Sequence, residues 1–207
     1  MKKVLVNYNF TPDPTWIGDD YLIYDRSDDG IDHLKDFDAE KVIRTDNVGQ
    51  VDFDKLCYLA DNYDSLPDVF LWGKTNLFKY ITREEYEKVK NNNTFTPLLT
   101  QNHKVYSDEF GPVNYYSGNI YYERNNNWYT NQFPTRYFDN FNDFATEFNI
   151  PTPAYIPFAP GGNYILTREV VHRYSRDMYD KMASMLSYCK EPAEAQMAER
   201  SYYLLWK

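Results

Sequence analysis

Residues Asp46 to Gly73 read DNVGQVDFDKLCYLADNYDSLPDVFLWG, and their pattern sets the fold class. Apolar side chains at Phe53, Leu56, Cys57, Leu59 and Ala60 recur with a period of roughly 3.6 residues, which predicts an amphipathic helix. Asp52 stands where an N-cap is expected, and Pro67 bars the helix from running on. Val69-Phe70-Leu71-Trp72 is a continuous apolar run, short enough for a strand covered on both faces. Leu56, Leu59, Val69 and Leu71 are therefore expected in the core. The strand stops at Gly73 and the polar Lys74, Thr75 and Asn76. Ligands of open α/β sheets sit just outside the carboxyl ends of the strands, so function is expected where this strand ends.

The start of the chain repeats the signal. Lys3 to Tyr8 reads as a strand ending in the polar run Asn7 to Asp13. Tyr21 to Tyr24 is a second, ending in Asp25-Arg26-Ser27-Asp28-Asp29-Gly30, and Lys41 to Arg44 is a third, ending in Thr45-Asp46-Asn47-Val48-Gly49. Each ends in turn formers. Four such ends on one edge of a mostly parallel sheet would form a single polar rim.

Composition narrows the class. The chain has 207 residues with net charge -9, 21 Tyr and 13 Phe. So many aromatics supply a core despite the low mean hydropathy of -0.72. The acidic balance excludes a generally cationic face for nucleic acid, and it disfavours attraction to anionic lipid. Local Lys and Arg side chains and helix N-termini can still hold a phosphorylated small molecule. No apolar run approaches the ~18 residues of a membrane span, and no signal peptide is present. Cys57 and Cys189 lie in apolar helix patterns and read as buried thiols rather than a disulfide, which suits a cytoplasmic location.

Further along, Thr82-Arg83-Glu84-Glu85 is a capping box opening a short helix to about Lys90. Residues 94 to 135 turn Tyr-, Asn- and Gly-rich, and Ser117-Gly118 between Val113–Tyr116 and Asn119–Tyr122 signals a hairpin within an antiparallel excursion. Asp139 to Phe148 is a short helix, Tyr155 to Phe158 is extended, and Pro160-Gly161-Gly162 turns into a strand at Asn163 to Leu166. A long helix is expected from Thr167 to Tyr188. A last helix, with Pro192 in its first turn, runs toward Trp206. The chain ends inside this aromatic helix without a polar tail, as a piece cut from a longer protein would. One domain over 1–207 is expected, with a nucleotide-binding half in 1–80 and an acceptor half in 81–207.

The segment from Asn47 to Gly73 resembles an "NVG … NYD-LPD … F-G" signature of glycosyltransferase-like domains. PGGNYILTREVVHRYSRDMYDKMASML and AERSYYLLW resemble the Gly-turn, strand and terminal helices of the same family. The match covers about half of the chain, at its two ends. The Asn- and Tyr-rich style is similar to chlorella-virus glycosyltransferase domains that build capsid glycans, which have the GT-A fold and use a UDP-sugar with Mn2+. The resemblance implies a GT-A-like central mixed, mostly parallel sheet flanked by helices, a UDP-sugar donor, a glycan acceptor and Mn2+. It also implies viral capsid glycan synthesis, in host cytoplasm. One departure is plain. Members of this fold usually hold the metal with Asp-x-Asp after the fourth strand, where this chain has Gly73-Lys74-Thr75-Asn76. Asp36-Phe37-Asp38 and Asp52-Phe53-Asp54 exist elsewhere, the first in a linking segment and the second opening a helix, where acidic residues favour the macrodipole.

Each candidate residue carries a plain reading beside the functional one. Asn7, Tyr8, Asn9 and Thr11 would receive the nucleobase, or simply form a strand-to-loop turn. Asp25 and Arg26 would hold uracil or ribose, or form a solvated ion pair. Asp46, Asn47, Gly49 and the helix start, with Lys55 in its first turn, would meet the phosphates. Lys74, Thr75 and Asn76 occupy the metal and sugar edge. Gly161, Gly162 and Asn163 would lie under the donor sugar, or make a simple turn. Glu199, a carboxylate on an aromatic helix, is the candidate catalytic base, or a surface glutamate beside Arg200. His33, His103 and His172 lack metal-ligand spacing. A non-catalytic carbohydrate-binding module is the rival reading; the excess of Tyr, Trp and Asn fits it, and the α/β start opposes it.

Overall fold

The computed structural model describes residues 1–100 and 103–207; the part of the expected middle excursion at 101–102 lies outside them. A six-stranded mixed sheet organises the chain. Strands β1 (Lys2–Asn7), β2 (Tyr21–Asp25), β3 (Val42–Arg44) and β4 (Val69–Lys74) run parallel in the order β3-β2-β1-β4. The short helix α1 (Pro14–Ile17) links the first two strands, and α2 (Gln50–Asp61) precedes β4. Helix α3 (Arg83–Val89) follows β4, then β5 (Thr96–Pro97). The middle segment forms two ribbons. One pairs β6 (Ser107–Asp108) with β7 (Gly111–Pro112), and the other pairs β8 (Asn114–Ser117) with β9 (Ile120–Arg124). After α4 (Phe141–Glu147), β10 (Tyr155–Phe158) joins β9 antiparallel, and β11 (Tyr164–Thr167) enters the main sheet antiparallel between β4 and β5. Helices α5 (Arg168–Val171), α6 (Arg176–Ser184) and α7 (Ala193–Trp206) complete the chain. The expected α/β class with a mixed, mostly parallel sheet and an antiparallel excursion is what forms. The segments on either side of residue 80 share one sheet, because β11 pairs with β4.

The apolar run of β4 behaves as its pattern predicts. Phe70, Leu71 and Trp72 are all fully buried. Phe70 and Trp72 face the larger core under α2 and α7, while Leu71 faces a second core with Leu5, Ile23, Leu77, Tyr86 and Ile165. Val69, at the strand entry, is only partly buried. β3 is an edge strand, with Ile43 and Arg44 exposed. No helix among the described residues is long and apolar enough to cross a membrane.

Three local expectations change. Asp52 is not the N-cap of α2: Gly49 is, with φ 63°, and its amide and that of Gln50 donate to the carbonyls of Cys189 (2.8 Å) and Lys190 (3.0 Å). The helix therefore starts three residues earlier, seeded by a distant loop rather than by a side chain. The expected long helix over 167–188 is broken at 172–175, where Tyr63 Oη donates to the Tyr174 carbonyl at 2.7 Å and Tyr179 Oη to that of Val171 at 2.8 Å. Those tyrosines satisfy carbonyls that helix continuation would have used, and Ser175 caps α6. Pro192 sits at the N-cap of α7, one position before its first turn. Thr82 caps α3 as predicted.

Leu71→Ala should cost about 2–5 kcal/mol, because the cavity it leaves opens between two packed layers. Urea denaturation measures this; an unchanged midpoint would mean that the second core does not form.

Candidate functional site

The carboxyl ends of β1, β2 and β4 are locked together by a buried polar knot. Asn7 Nδ2 donates to Asp25 Oδ1 at 3.0 Å and to Ser27 Oγ at 3.2 Å, and Asn7 Oδ1 accepts from Thr75 Oγ1 at 2.6 Å. Arg44 pairs with the other side of Asp25. Asn7, Asp25 and Thr75 are at most 2% exposed, so this knot spaces the strand ends rather than presenting groups to a ligand. Above it, Asp28 gathers three loops, accepting from Asn9 Nδ2 (3.0 Å), Asn47 Nδ2 (2.6 Å) and Lys190 Nζ (2.9 Å). These donors hold the Asp28 carboxyl well below the usual carboxylate range, Lys190 first. Thr11 stands apart, exposed, against His33 Nδ1 at 2.9 Å. Asp46 is exposed on its turn, and Asn76 is half-buried where β4 ends.

Next to this rim a cavity of about 230 Å3 opens, lined by Tyr8, Arg26, Asn47, Gln50, Val51, Lys74, Phe133, Lys190 and Glu191. That is smaller than the roughly 300–1,000 Å3 that encloses a whole drug-sized ligand, so it suits the charged part of one. Three of its walls are cationic. Arg26 is 1% exposed; its Nη2 donates to the Val48 carbonyl, while Nε and Nη1 have no hydrogen-bond acceptor. Asp54 lies 3.8 Å from Nη1, beyond hydrogen-bond reach. Burial draws the Arg26 pKa down, and the nearby carboxylates Asp54 and Asp52 oppose this. Lys190 stands 5.1 Å above the Tyr8 ring, and Tyr8 and Asp28 together hold its ammonium firmly charged. Lys74 is half-buried beside Tyr80 Oη at 3.3 Å. Burial opposes its charge, but Tyr80, Glu199 and Asp52 more than offset that and raise its pKa. A wider cleft of about 470 Å3 between α3 and β5 has one carboxylate, Glu85, and no cation; its chemistry is unrelated to the strand ends.

Beneath the cavity lies a second polar block. Lys55, expected to reach outward to a phosphate, is fully buried. Its Nζ donates to the Gly162 carbonyl at 2.5 Å, stands 3.6 Å from Asp52 Oδ1, and sits 3.9 Å from the Trp72 ring centroid. Burial pushes its pKa down to about 8. Asp52 Oδ1 also accepts from Tyr202 Oη at 2.9 Å. Gly161, Gly162 and Asn163 are buried too. A Cβ on Gly162 would lie 2.8 Å from Lys55 Nζ, and one on Gly73 would lie 2.6 Å from Asn163 Oδ1, which accepts the Lys74 amide at 2.9 Å. Glu199 accepts the Gly161 amide at 2.6 Å, and burial raises its pKa. It is not a surface glutamate; it pins the glycine turn.

The structure thus brings Tyr8, Arg26, Asn47 and Lys74 to one cavity and seals Asn7, Asp25, Gly49, Lys55, Thr75 and the glycine turn beneath or beside it. Sequence reasoning missed Lys190, Glu191, Phe133 and Asp28. Lys190 reaches the site only because the starting amides of α2 grip the backbone at Cys189 and Lys190, a contact no local pattern announces.

The Mn2+ implied by the resemblance finds no matching donors at the end of β4. The side chain there is the Lys74 ammonium; of the neighbouring carboxylates, Asp52 is engaged by Tyr202 and Lys55, Glu199 by Gly161 and Asp28 by three donors, and Glu191 is the single carboxylate among the described residues of the cavity lining. Among the described residues no group of three His, Cys, Asp or Glu side chains is arranged to hold a metal. Asp38 of the other triplet caps the turn at Ala39–Lys41. Comparison with known proteins finds no matching family model, curated protein or solved structure, so the likeness to glycosyltransferases rests on the residues themselves.

Asp54 is 2% exposed, and burial lifts its carboxyl to about 6 despite the opposing pull of Arg26 and Thr45. Its folded pKa exceeds the unfolded value near 4, so the native state keeps the proton longer and stability falls as pH rises from about 4 to about 6. Urea unfolding at about pH 4.5 and about pH 7.5 should show the wild type losing on the order of 2–3 kcal/mol relative to Asp54→Asn across that interval. Parallel pH profiles would mean that Asp54 is ionised throughout.

Proposed function

We propose that this chain transfers a sugar from a UDP-sugar to a glycan hydroxyl, with the diphosphate seated in the cavity between β1, β2, β4 and the start of α2. One observation carries the reading: in a chain of net charge -9, Arg26, Lys74 and Lys190 converge on a single cavity at the carboxyl ends of parallel strands. Such an edge is where open α/β sheets take nucleotides. The exposed Tyr8 ring and the Asn9–Asp28–Asn47 cluster form a rim suited to a base and a ribose. The sheet type and the motif residues at both ends of the chain agree with a GT-A transferase.

In the transfer, the bond from the anomeric carbon to the β-phosphate oxygen breaks and its electron pair stays on the phosphate. The acceptor oxygen bonds to the anomeric carbon, and its proton passes to a base. Lys74, the cavity cation nearest the glycine turn in the network, faces the charge that develops on the phosphate. In this reading Glu199 takes the proton, or holds through Gly161 the turn that positions the sugar.

A second reading, a carbohydrate-binding module, draws on Tyr115 and Tyr122, stacked 5.0 Å apart with 3° between planes on the three-stranded sheet, with Tyr155 edge-on. In the transferase reading the same rings make an acceptor surface.

Calorimetry should show UDP binding at least about tenfold tighter than GDP, because the base is read as a pyrimidine resting on the Tyr8 ring and the Asn9–Asp28–Asn47 rim. Equal heats would end the uridine assignment; glycan binding with no nucleotide heat would favour the module. In a transfer assay, Glu199→Gln should keep donor affinity within a few-fold and lower turnover by roughly a hundredfold or more. A wild-type rate would restrict Glu199 to holding Gly161.

A further inference from the structure

A cavity lined by three cations invites the question of what neutralises a diphosphate there. Arg26 bears on it most directly. It is 1% exposed, its Nε and Nη1 lack hydrogen-bond acceptors, and it lines the cavity. A buried guanidinium with unused donors is costly unless something accepts from them. Beside it, α2 begins at Gln50 and runs twelve residues, so the positive end of its dipole meets the same cavity. Gly49 and Gln50 spend their amides on Cys189 and Lys190, and that same clasp brings Lys190 to the cavity lining. Lys74 stands at the β4 end, where a carboxylate pair would be needed for a metal. Asp28, Asp52 and Glu199 are committed to protein donors, which leaves Glu191 as the single carboxylate among the described residues of the cavity lining.

We propose that Arg26, Lys74 and Lys190 together replace a divalent cation, so that the chain binds its nucleotide diphosphate, and releases it in transfer, without metal. This rests on the UDP-sugar reading above. When the anomeric C–O bond breaks, the β-phosphate gains one negative charge. Lys74 and Arg26, both on the cavity wall, are the cations that would meet that charge, and the acceptor hydroxyl proton leaves to Glu199 or to water. No oxidant or second co-substrate is required. Planar guanidinium and ammonium donors are the ordinary partners of phosphate oxygens, and their charge-assisted bonds strengthen where water is excluded.

The test is calorimetry of the full chain with UDP, once in excess EDTA and once with MnCl2. The expected result is binding in EDTA, with a Kd within about threefold of that in Mn2+. Lys190→Met, a change at an exposed side chain that folding should tolerate, should weaken UDP about ten- to a hundredfold in EDTA. Its melting temperature should be unchanged. Lys74→Met should do the same, and uridine without phosphates should be indifferent to either substitution. Heat from UDP only when Mn2+ is added would overturn the metal-free site and leave the nucleotide reading intact. No heat from UDP in either buffer would overturn both. Undiminished UDP binding by Lys190→Met and Lys74→Met alike would place the diphosphate elsewhere.

Discussion

A buried ammonium cannot be left alone, and Lys55 shows how much structure one such charge can organise. Desolvating it is compensated only by close partners. These come from four places: Asp52 on its own helix, the Trp72 face on β4, the Gly162 carbonyl before β11, and Tyr202 on α7 through Asp52. Removing Lys55 would leave Asp52 buried with only a phenol for company. Because the four partners lie on separate elements, the charge fixes α2 against the sheet, the glycine turn and the last helix at once. Gly162 follows from this, since a side chain there would meet Lys55 Nζ.

The start of α2 works differently. Its cap is backbone to backbone, so Gly49 must adopt a left-handed conformation and lie close to Leu186. The reward is geometric: the loop at 189–191 is tied to the helix start, and Lys190 stands over Tyr8 within reach of Asp28. The cavity is thus assembled from residues far apart in sequence but held by short bonds. The buried knot of Asn7, Asp25 and Thr75 supplies its fixed floor.

Much of the frame is legible in the sequence because its signals are local. The apolar run Val69–Trp72, the polar strand ends, the capping box at Thr82 and the Ser117-Gly118 turn each need only their neighbours to be understood. What escapes a local reading is tertiary. Nothing near Asp52 says that Gly49 will cap the helix through Cys189. Nothing near Tyr174 says that tyrosines from elsewhere will take its neighbours' carbonyls and break the helix. Lys55 and Glu199 look like surface charges on amphipathic helices; Lys55 is fully buried and Glu199 largely withdrawn from solvent, because each finds a partner on another element. The candidate site was half legible for the same reason: the strand ends point to it, but the loop that carries Lys190 does not.

The two polar layers are also coupled electrically. Lys74 belongs to both, lining the cavity while offsetting the charge of Glu199 and Asp52. An anion arriving in the cavity competes for that ammonium. As Lys74 turns its field toward a phosphate, Glu199 loses part of the attraction that opposes the upward push of burial on its pKa, and its affinity for a proton rises. A carboxylate that becomes more basic as negative charge accumulates on a nearby phosphate is suited to accept an acceptor hydroxyl's proton at that moment. The position of Lys74 between the two layers, rather than the acidity of Glu199 taken alone, is what would join leaving-group departure to proton removal.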